Sequence, residues 1–285
     1  MEYAALVEYG LPVLFALFLW WFSTGLVLIL DGLPRNAARL SLAAVTGIAI
    51  AALYGLVRAS QVESVTAAYA GFVCALLVWG WQELSFLTGW ITGPRKHACV
   101  PGCRGWLHFV HAVQAILYHE AAILVAGVAI VALTWNAPNQ VGTWTYLVLW
   151  LMRISAKLNL FLGVRNTGEE FLPEHLHYLK SFFRRRRMNL LFPISVTAPT
   201  VLATLMVESA LDSGTPPAAA TGLVLVAALL GLAIVEHWMM VLPVRVAALW
   251  EWAMRTHRRE RVDAASVTPP ERLAPWWDIA SRRGF

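Results

Sequence analysis

Charged residues are scarce in this chain. Asp, Glu, Lys and Arg make up 14% of its 285 residues, whereas about a quarter is usual for a soluble domain. Hydrophobic residues make up 59%, and the mean hydropathy is +0.61. This composition excludes an ordinary soluble protein. It predicts an all-α, polytopic integral membrane protein.

Familiar catalytic motifs and a disulfide framework are missing as well. The chain has no P-loop, no GxSxG, and neither the HxxxH nor the HxxHH box of membrane desaturases. Its three cysteines are too few to suggest a disulfide framework. Cys99 and Cys103 share a loop with His97 and offer soft-ligand chemistry, but the CxxC spacing is absent. The sequence therefore does not favour a metal site in this loop.

Apolar runs long enough for a membrane helix occur seven times. A bilayer core needs roughly 20 such residues per helix. The start MEYAALVEYG has no basic region of the signal-peptide type, so we expect the first run to stay as a span. The predicted spans are 8–30, 40–58, 66–92, 106–134, 143–163, 189–209 and 219–242, with a short interfacial helix at 173–187. We expect one transmembrane helical bundle over 1–258 and a polar cytoplasmic tail over 259–285.

Lys and Arg are divided unequally between the two sides of this predicted bundle. Of 22 such residues, 19 fall on one side, Arg58 lies on the other, and two lie inside the fifth span. The positive-inside rule therefore predicts an N-terminus outside and a C-terminus in the cytoplasm. The net charge of +5 reflects this topology and is no argument for nucleic-acid binding. The predicted interfacial helix ends in Arg184, Arg185, Arg186 and Arg187, which we expect to face anionic lipid headgroups or a partner.

Ionisable side chains inside the apolar spans are the most informative feature of the sequence. They are Glu83, His119, Glu120, Arg153, Lys157, Glu236 and His237. An uncompensated charge at the bilayer centre costs at least about 2.5–3.5 kcal/mol, so these groups are not expected to face lipid. Counting about 1.5 Å per helical residue places them in the cytoplasmic half of four different spans. The pattern predicts a polar cavity in that half.

Three interpretations of the cavity fit the residues. It is a structural polar core, in which Arg153 or Lys157 pairs with glutamate; a metal site, for example for non-haem iron; or a pocket for a tetrapyrrole or quinone. The metal ligands would be Glu83, His119, Glu120, Glu236 and His237, with His111, Arg153, Lys157 and Asn159 as neighbouring ligands or charge partners. The adjacent Glu and His residues do not match the Glu-x-x-His spacing of soluble di-iron proteins. The residues alone leave the three alternatives open.

Four motifs follow one another in the order found in a known family. They are Trp81–Gly89 with Thr92–Arg95, Leu117–Glu120, Lys157–Val164, and Glu236–Trp238 with Val241–Pro243. On these motifs the chain resembles the PuhE family, photosynthetic complex assembly proteins encoded beside the reaction-centre H subunit in purple phototrophic bacteria. The family often has His before the first Glu and Pro after Gly-Val, where this chain has Gln82 and Arg165. That difference weakens any role for the residue before Glu83.

The resemblance implies a factor of the bacterial inner, or intracytoplasmic, membrane. Such a factor would act in bacteriochlorophyll supply or in the assembly of reaction-centre and light-harvesting complexes. Its partners would be the lipid bilayer, subunits of those complexes or pigment-biosynthesis enzymes. An alternative is a membrane di-iron oxygenase or hydroxylase acting on a tetrapyrrole or carotenoid intermediate. A transporter ranks last, because only one half of the predicted bundle is polar.

Overall fold

The computed structural model describes residues 6–244 and 246–253, and these form an all-α bundle without a β-strand in the described ranges. The long helices are α1 (Leu11–Asp31, after a π-helical turn at Leu6–Gly10), α2 (Arg35–Ser60), α3 (Val65–Leu87), α4 (Gly105–Leu133), α5 (Val141–Leu162), α6 (Phe192–Leu211) and α7 (Pro217–Val241). Short 3-10 helices cover Glu169–Phe171, Glu174–Phe182 and Val246–Trp250. Within these described residues, seven helices are long and apolar enough to cross a membrane, which confirms the predicted fold class.

Local chemistry sets several helix ends, and some of them differ from their predicted positions. The third span, predicted to reach residue 92, ends at Leu87 because Gly89 adopts a φ of +78° and turns the chain back. The main-chain N–H groups of Trp90 and Ile91 then both donate to the Ser85 carbonyl at 3.0 Å. Helix α6 begins at Phe192, because the Asn189 side chain caps its first turn.

Helices α3 and α7 form the centre of the bundle. About half of the most apolar window in each is buried, 50% in α3 and 56% in α7, against at most 22% in the other five. Helix α3 packs against α1, α2, α5 and α7. Small residues allow the closest approach, since a Cβ atom on Gly71 would lie 3.2 Å from the Gly142 nitrogen of α5.

Helix α4 lies at the edge of the bundle, and a long loop packs along it. Residues 88–104 connect α3 to α4, and the loop returns along the first half of α4. A Cβ atom on Gly93 would overlap the main chain of Gln114 and Ala115, so glycine is needed at this contact. The Thr92 carbonyl then accepts the main-chain N–H of His119 at 2.9 Å. The loop therefore reaches the depth of the predicted polar residues.

The predicted interfacial helix at 173–187 differs from the structure in form and in contacts. Only Glu174–Phe182 is helical, and it is a 3-10 helix, which suits Leu176, Leu179 and Phe182 because their spacing of three puts them on one face. These three side chains are buried against Phe86 and Ala115, so they pack on protein. The four arginines that follow are not helical; the Val164 N–H donates to the Arg184 carbonyl at 3.1 Å, which holds their start in place.

The segment after α7 folds back onto α1. The Trp250 indole donates to the Trp21 carbonyl, and the Trp21 indole donates to the Leu249 carbonyl, both at 3.1 Å. Trp20 packs against the Trp250 ring with centroids 5.2 Å apart. The predicted polar tail at 259–285 lies outside the described residues, and the boundary predicted at 258 stays a prediction.

Candidate functional site

Charged side chains of four helices meet near the ends of α3, α5 and α7. We call them the polar cluster: Glu83 on α3, His119 and Glu120 on α4, Arg153 and Lys157 on α5, and Glu236 on α7. Arg153 contacts Glu83 directly and interacts electrostatically with Glu120 and Glu236. Helix α5 positions both cations on one face, because residues four apart in an α-helix lie one turn above the other.

The first ion pair joins α3 to α5. An Nη nitrogen of Arg153 donates to Oε2 of Glu83 at 2.8 Å. The Glu83 side chain is 16% exposed and that of Arg153 is 38% exposed, so the pair borders an accessible space. Two further atoms, Glu83 Oε1 and Arg153 Nε, are buried without a hydrogen-bond partner among the described residues. The pair therefore leaves one buried donor and one buried acceptor without a hydrogen bond.

The second ion pair joins α4 to α5. Lys157 Nζ contacts Oε1 of Glu120, with both side chains at least three-quarters buried. Pairing of this kind is what removes the cost of a charge at membrane depth. The balancing of glutamate by Arg153 or Lys157 that the sequence predicts is thus present for two of the three glutamates.

Glu236 is held by a neutral donor. The Trp20 indole N–H of α1 donates to Glu236 Oε1 at 2.7 Å. Among the side chains that the structure describes, no Lys or Arg nitrogen lies within ion-pair distance of Glu236. Glu236 is exposed on α7 and interacts electrostatically with Arg153 and Glu83. It is the most exposed carboxylate of the cluster.

His119 is completely buried beside these charges. Its ring packs on Phe86 with centroids 4.5 Å apart. Neither ring nitrogen has a hydrogen-bond partner in the part of the chain that the structure describes. A buried polar group left in this state costs roughly 1–3 kcal/mol. The buried His119 ring therefore lowers the stability of the fold, because neither of its nitrogens forms a hydrogen bond with the described residues.

His237 belongs to a separate hydrogen-bond network. Its Nδ1 donates to the Ala233 carbonyl at 2.8 Å, and its Nε2 shares a hydrogen bond of 2.9 Å with the Ser155 hydroxyl. Ser155 lies 2.9 Å from the Ser195 hydroxyl, which also accepts from Asn159 Nδ2 at 2.9 Å. The network continues to Asn189 and ties α5, α6 and α7 together. Both ring nitrogens of His237 are therefore used within the protein.

Asn189 completes this network at the start of α6. Its Nδ2 donates to Asn159 Oδ1 at 3.0 Å and to the Gly163 carbonyl at 3.0 Å. Its Oδ1 accepts the main-chain N–H groups of Leu191 and Phe192. The predicted role of Asn159 beside a metal stays a prediction, but its contacts in the structure are those of a buried helix connector.

The histidines near the start of α4 lie apart from the polar cluster. His111 Nδ1 is 3.4 Å from Cys99 Sγ and 3.5 Å from Cys103 Sγ. One group of three possible metal ligands occurs in the described ranges: the ligand atoms of Cys99, Cys103 and His111 all lie within 4.8 Å of one another. Hydrogen bonding with Cys99, followed by desolvation, raises the pKa of the Cys103 thiol. His111 therefore lies beside the two loop thiols, which the sequence does not favour as metal ligands.

The five metal ligands predicted from the sequence have a different arrangement. Two of them, Glu83 and Glu120, are bound to cations, and His237 is bound to Ser155 and Ala233. Glu83 and Glu120 contact Arg153 and Lys157, and His119 and Glu236 interact electrostatically with Arg153, while the His237 ring contacts α5 and its own helix. Iron binding by these residues stays a prediction; two of the three carboxylates, Glu83 and Glu120, already pair with cations of the protein itself.

Several residues of the site carry no obvious signal in the sequence. Trp20 is one of 14 tryptophans, and its bond to Glu236 spans 216 positions. Ser155 and Ser195 are small hydroxyl residues in apolar helices, where they usually bond to their own backbone. Asn189 is the exception, because an Asn directly before an apolar run with Pro193 in its first turn is a helix-start signal.

Comparison with known proteins gives a family without an assigned function. The profile of the family described as "Protein of unknown function (DUF3623)" matches residues 6–261. A protein of Rhodobacter capsulatus, named as an uncharacterized 30.4 kDa protein in the puhA 5′ region, is 38% identical over 248 residues, which cover 86% of this chain and 90% of that protein. No solved structure matches the chain. With a family profile that spans nearly its whole length, the chain belongs to the DUF3623 family.

Proposed function

We propose that this protein is an inner-membrane factor that acts in bacteriochlorophyll supply or in the assembly of reaction-centre and light-harvesting complexes. The observation that carries the proposal is the position of its Rhodobacter capsulatus relative in the 5′ region of puhA, a reaction-centre gene. This position agrees with the resemblance to the PuhE family. The shared length supports a transfer to this chain, since the similarity covers the bundle and not one motif.

The polar cluster is the part of the bundle that we assign to this function. Two ion pairs, a glutamate held by an indole, and an imidazole without a bond are costly in a membrane protein. Well-packed apolar residues would hold the helices at lower cost. The His237 network provides a contrast, because its members satisfy one another and connect three helices. The cluster keeps unused donors and acceptors, which suits ligand binding.

The accessible side of the cluster favours an amphiphilic ligand with a polar edge. Glu236 is exposed and the Arg153 side chain is 38% exposed, while His119 is buried, so a ligand would meet a carboxylate and a guanidinium group first. The Trp20 indole, from the middle of α1, donates to Glu236, and aromatic faces suit a flat macrocycle. A tetrapyrrole intermediate fits this description. The di-iron alternative finds less support, since two of its carboxylates are bound to cations.

A clean deletion of the gene tests the proposal. We expect the deletion strain, grown phototrophically, to contain less bacteriochlorophyll or fewer assembled complexes, and the wild-type gene in trans to restore both. Absorption spectra of whole membranes measure the complexes, and solvent extracts measure total pigment. Unchanged pigment and complex levels in the deletion strain would rule the proposal out.

A further inference from the structure

The thiols of the 88–104 loop form a second constellation, outside the polar cluster. Cys99 Sγ and Cys103 Sγ lie 3.4 and 3.5 Å from His111 Nδ1, and His108 Nδ1 lies 3.3 Å from Cys99 Sγ. We infer that Cys99, Cys103 and His111 bind a thiolate-preferring divalent metal ion of the zinc class. His108 would donate an N–H···S hydrogen bond to the Cys99 ligand.

The distances agree with those that a metal would impose. For Zn–S bonds of about 2.3 Å and Zn–N bonds of about 2.0–2.1 Å at tetrahedral angles, the sulfur and nitrogen ligands lie about 3.6 Å apart. The two observed separations from His111 Nδ1 are 3.4 and 3.5 Å. All three ligand atoms also lie within 4.8 Å of one another. An ion therefore needs only a small adjustment of side chains that already converge.

The backbone conformation explains how two cysteines at a CxxxC spacing both reach His111. Pro101 and Gly102 occupy the two central positions of a turn in which the Cys103 N–H donates to the Val100 carbonyl at 3.2 Å. Gly102 has a φ of +83°, as the second central position of a type II turn requires. This turn brings the two sulfurs together without the shorter CxxC spacing. His108 and His111 follow three residues apart on the first turns of α4, so both rings face the loop.

Neighbouring elements fix the site from two further sides. The Ser181 hydroxyl accepts the Cys99 main-chain N–H at 2.9 Å, which ties the loop to the end of the Glu174–Phe182 helix. The His108 ring is buried between Phe161 and Phe182, with centroid distances of 5.5 Å to each. Cys99, Cys103 and His111 themselves are partly exposed. The ligands are held in place, and an ion can still reach them.

The site would have a structural consequence for the rest of the loop. Residues 88–104 form a 17-residue connection without a helix or strand, a length that is uncommon unless the loop binds something. A bound ion would attach the loop to α4 at His111, about two helical turns from the contact between Thr92 and His119. Metal occupancy would therefore stabilise the loop that covers one side of the polar cluster.

Metal analysis of the full-length protein tests the inference. The protein is purified in detergent under reducing conditions with a tag that contains no histidine run, and Zn²⁺ is the probe. We expect one zinc ion per chain by elemental analysis after addition of Zn²⁺ and removal of excess with a weak chelator. Replacement by Co²⁺ should give thiolate-to-cobalt charge-transfer absorption, which oxygen and nitrogen ligands alone do not produce.

Variants separate this site from adventitious binding. Cys99→Ser and His111→Ala should each weaken Zn²⁺ binding by more than tenfold, since even partners outside the ligand sphere are worth about 10–100-fold. Cys74→Ser in α3 and His97→Ala, an exposed residue of the same loop, are the controls and should leave one ion bound. Because the wild-type measurement needs no variant, a misfolded variant does not remove the test.

Three results would overturn the inference. The first is wild-type protein that binds no Zn²⁺ and exposes both loop thiols to a thiol reagent in the presence of the ion. The second is a disulfide between Cys99 and Cys103 that persists in protein purified under reducing conditions. The third is an ion that remains bound in Cys99→Ser and His111→Ala at wild-type affinity.

Discussion

The Glu83–Arg153 pair allows a quantitative test of charge compensation in the bundle. At an effective dielectric constant of about 20, two unit charges 2.8 Å apart attract by about 6 kcal/mol. Desolvation and the 38% exposure of Arg153 reduce this value. Exposed pairs are worth up to about 1 kcal/mol, and breaking a buried pair costs about 3–5 kcal/mol. We therefore expect a coupling free energy of about 2–3 kcal/mol between the two side chains.

A double-mutant cycle measures this coupling. Arg153→Met leaves Glu83 without its cation, and Glu83→Gln leaves Arg153 without its anion, so each single variant should lower the melting temperature. At roughly 2–4 °C per kcal/mol, the coupling corresponds to about 4–12 °C. The variant with both changes should melt closer to the wild type than the two losses added together would give. The assay is thermal unfolding in detergent, followed by a thiol-reactive dye or by loss of monodispersity.

The surface pair of Glu169 and Arg185 is the matched control. Its two side chains are 26% and 74% exposed at a separation of 3.1 Å. The same cycle on this pair should give less than about 1 kcal/mol. If Arg153→Met and Glu83→Gln add fully in the double variant, the two residues are not coupled and the ion pair does not compensate the buried charge.

Three further changes should have distinct outcomes. Asn189→Ala removes five hydrogen bonds at the start of α6 and should cost at least about 1–3 kcal/mol of stability, seen as a lower melting temperature. A melting curve like that of the wild type would contradict the network. Gly142→Ala places a Cβ 2.9 Å from Leu56 and should destabilise the bundle. The control Gly47→Ala places a Cβ in open space of the described bundle and should not. Equal melting temperatures for the two variants would refute close packing at Gly142. A reporter fused after Arg187 should be cytoplasmic and one fused near Gly214 periplasmic, because 19 of 22 Lys and Arg fall on one predicted side. An active periplasmic reporter after Arg187 would refute the seven-span topology.

The number of spans was predictable because it depends on local composition. Each run of about 20 apolar residues predicts a membrane-spanning helix, whatever its neighbours in the fold are. The same holds for the isolated charges on α3 and α5, whose burial forces a partner of opposite sign. Glu83 and Glu120 accordingly pair with Arg153 and Lys157.

The choice of partner was harder to predict, because it depends on how each helix is rotated against the others. Glu236 and His237 are neighbours in sequence but lie about 100° apart around α7. One therefore faces Trp20 of α1, and the other faces Ser155 of α5. No pattern in either segment gives that rotation.

Loop conformation accounts for the remaining difference. His111 is on the same helical stripe as His119 within about 80°, which suggested a shared site. The turn at Pro101 and Gly102 brings Cys99 and Cys103 to His111 first. Sequence spacing alone underrates such a group, because the turn that shortens CxxxC is visible only when the φ of Gly102 is known.

Complementation of the deletion strain tests most directly whether the polar cluster carries the function. The variant to use is Glu83→Gln with Arg153→Met, since the loss of both charges leaves none of the pair unbalanced. We predict that it reaches the membrane at the wild-type level but fails to restore bacteriochlorophyll and photosynthetic complexes, whereas Glu169→Gln restores both. Full restoration by the double variant would contradict a functional role for this part of the cluster.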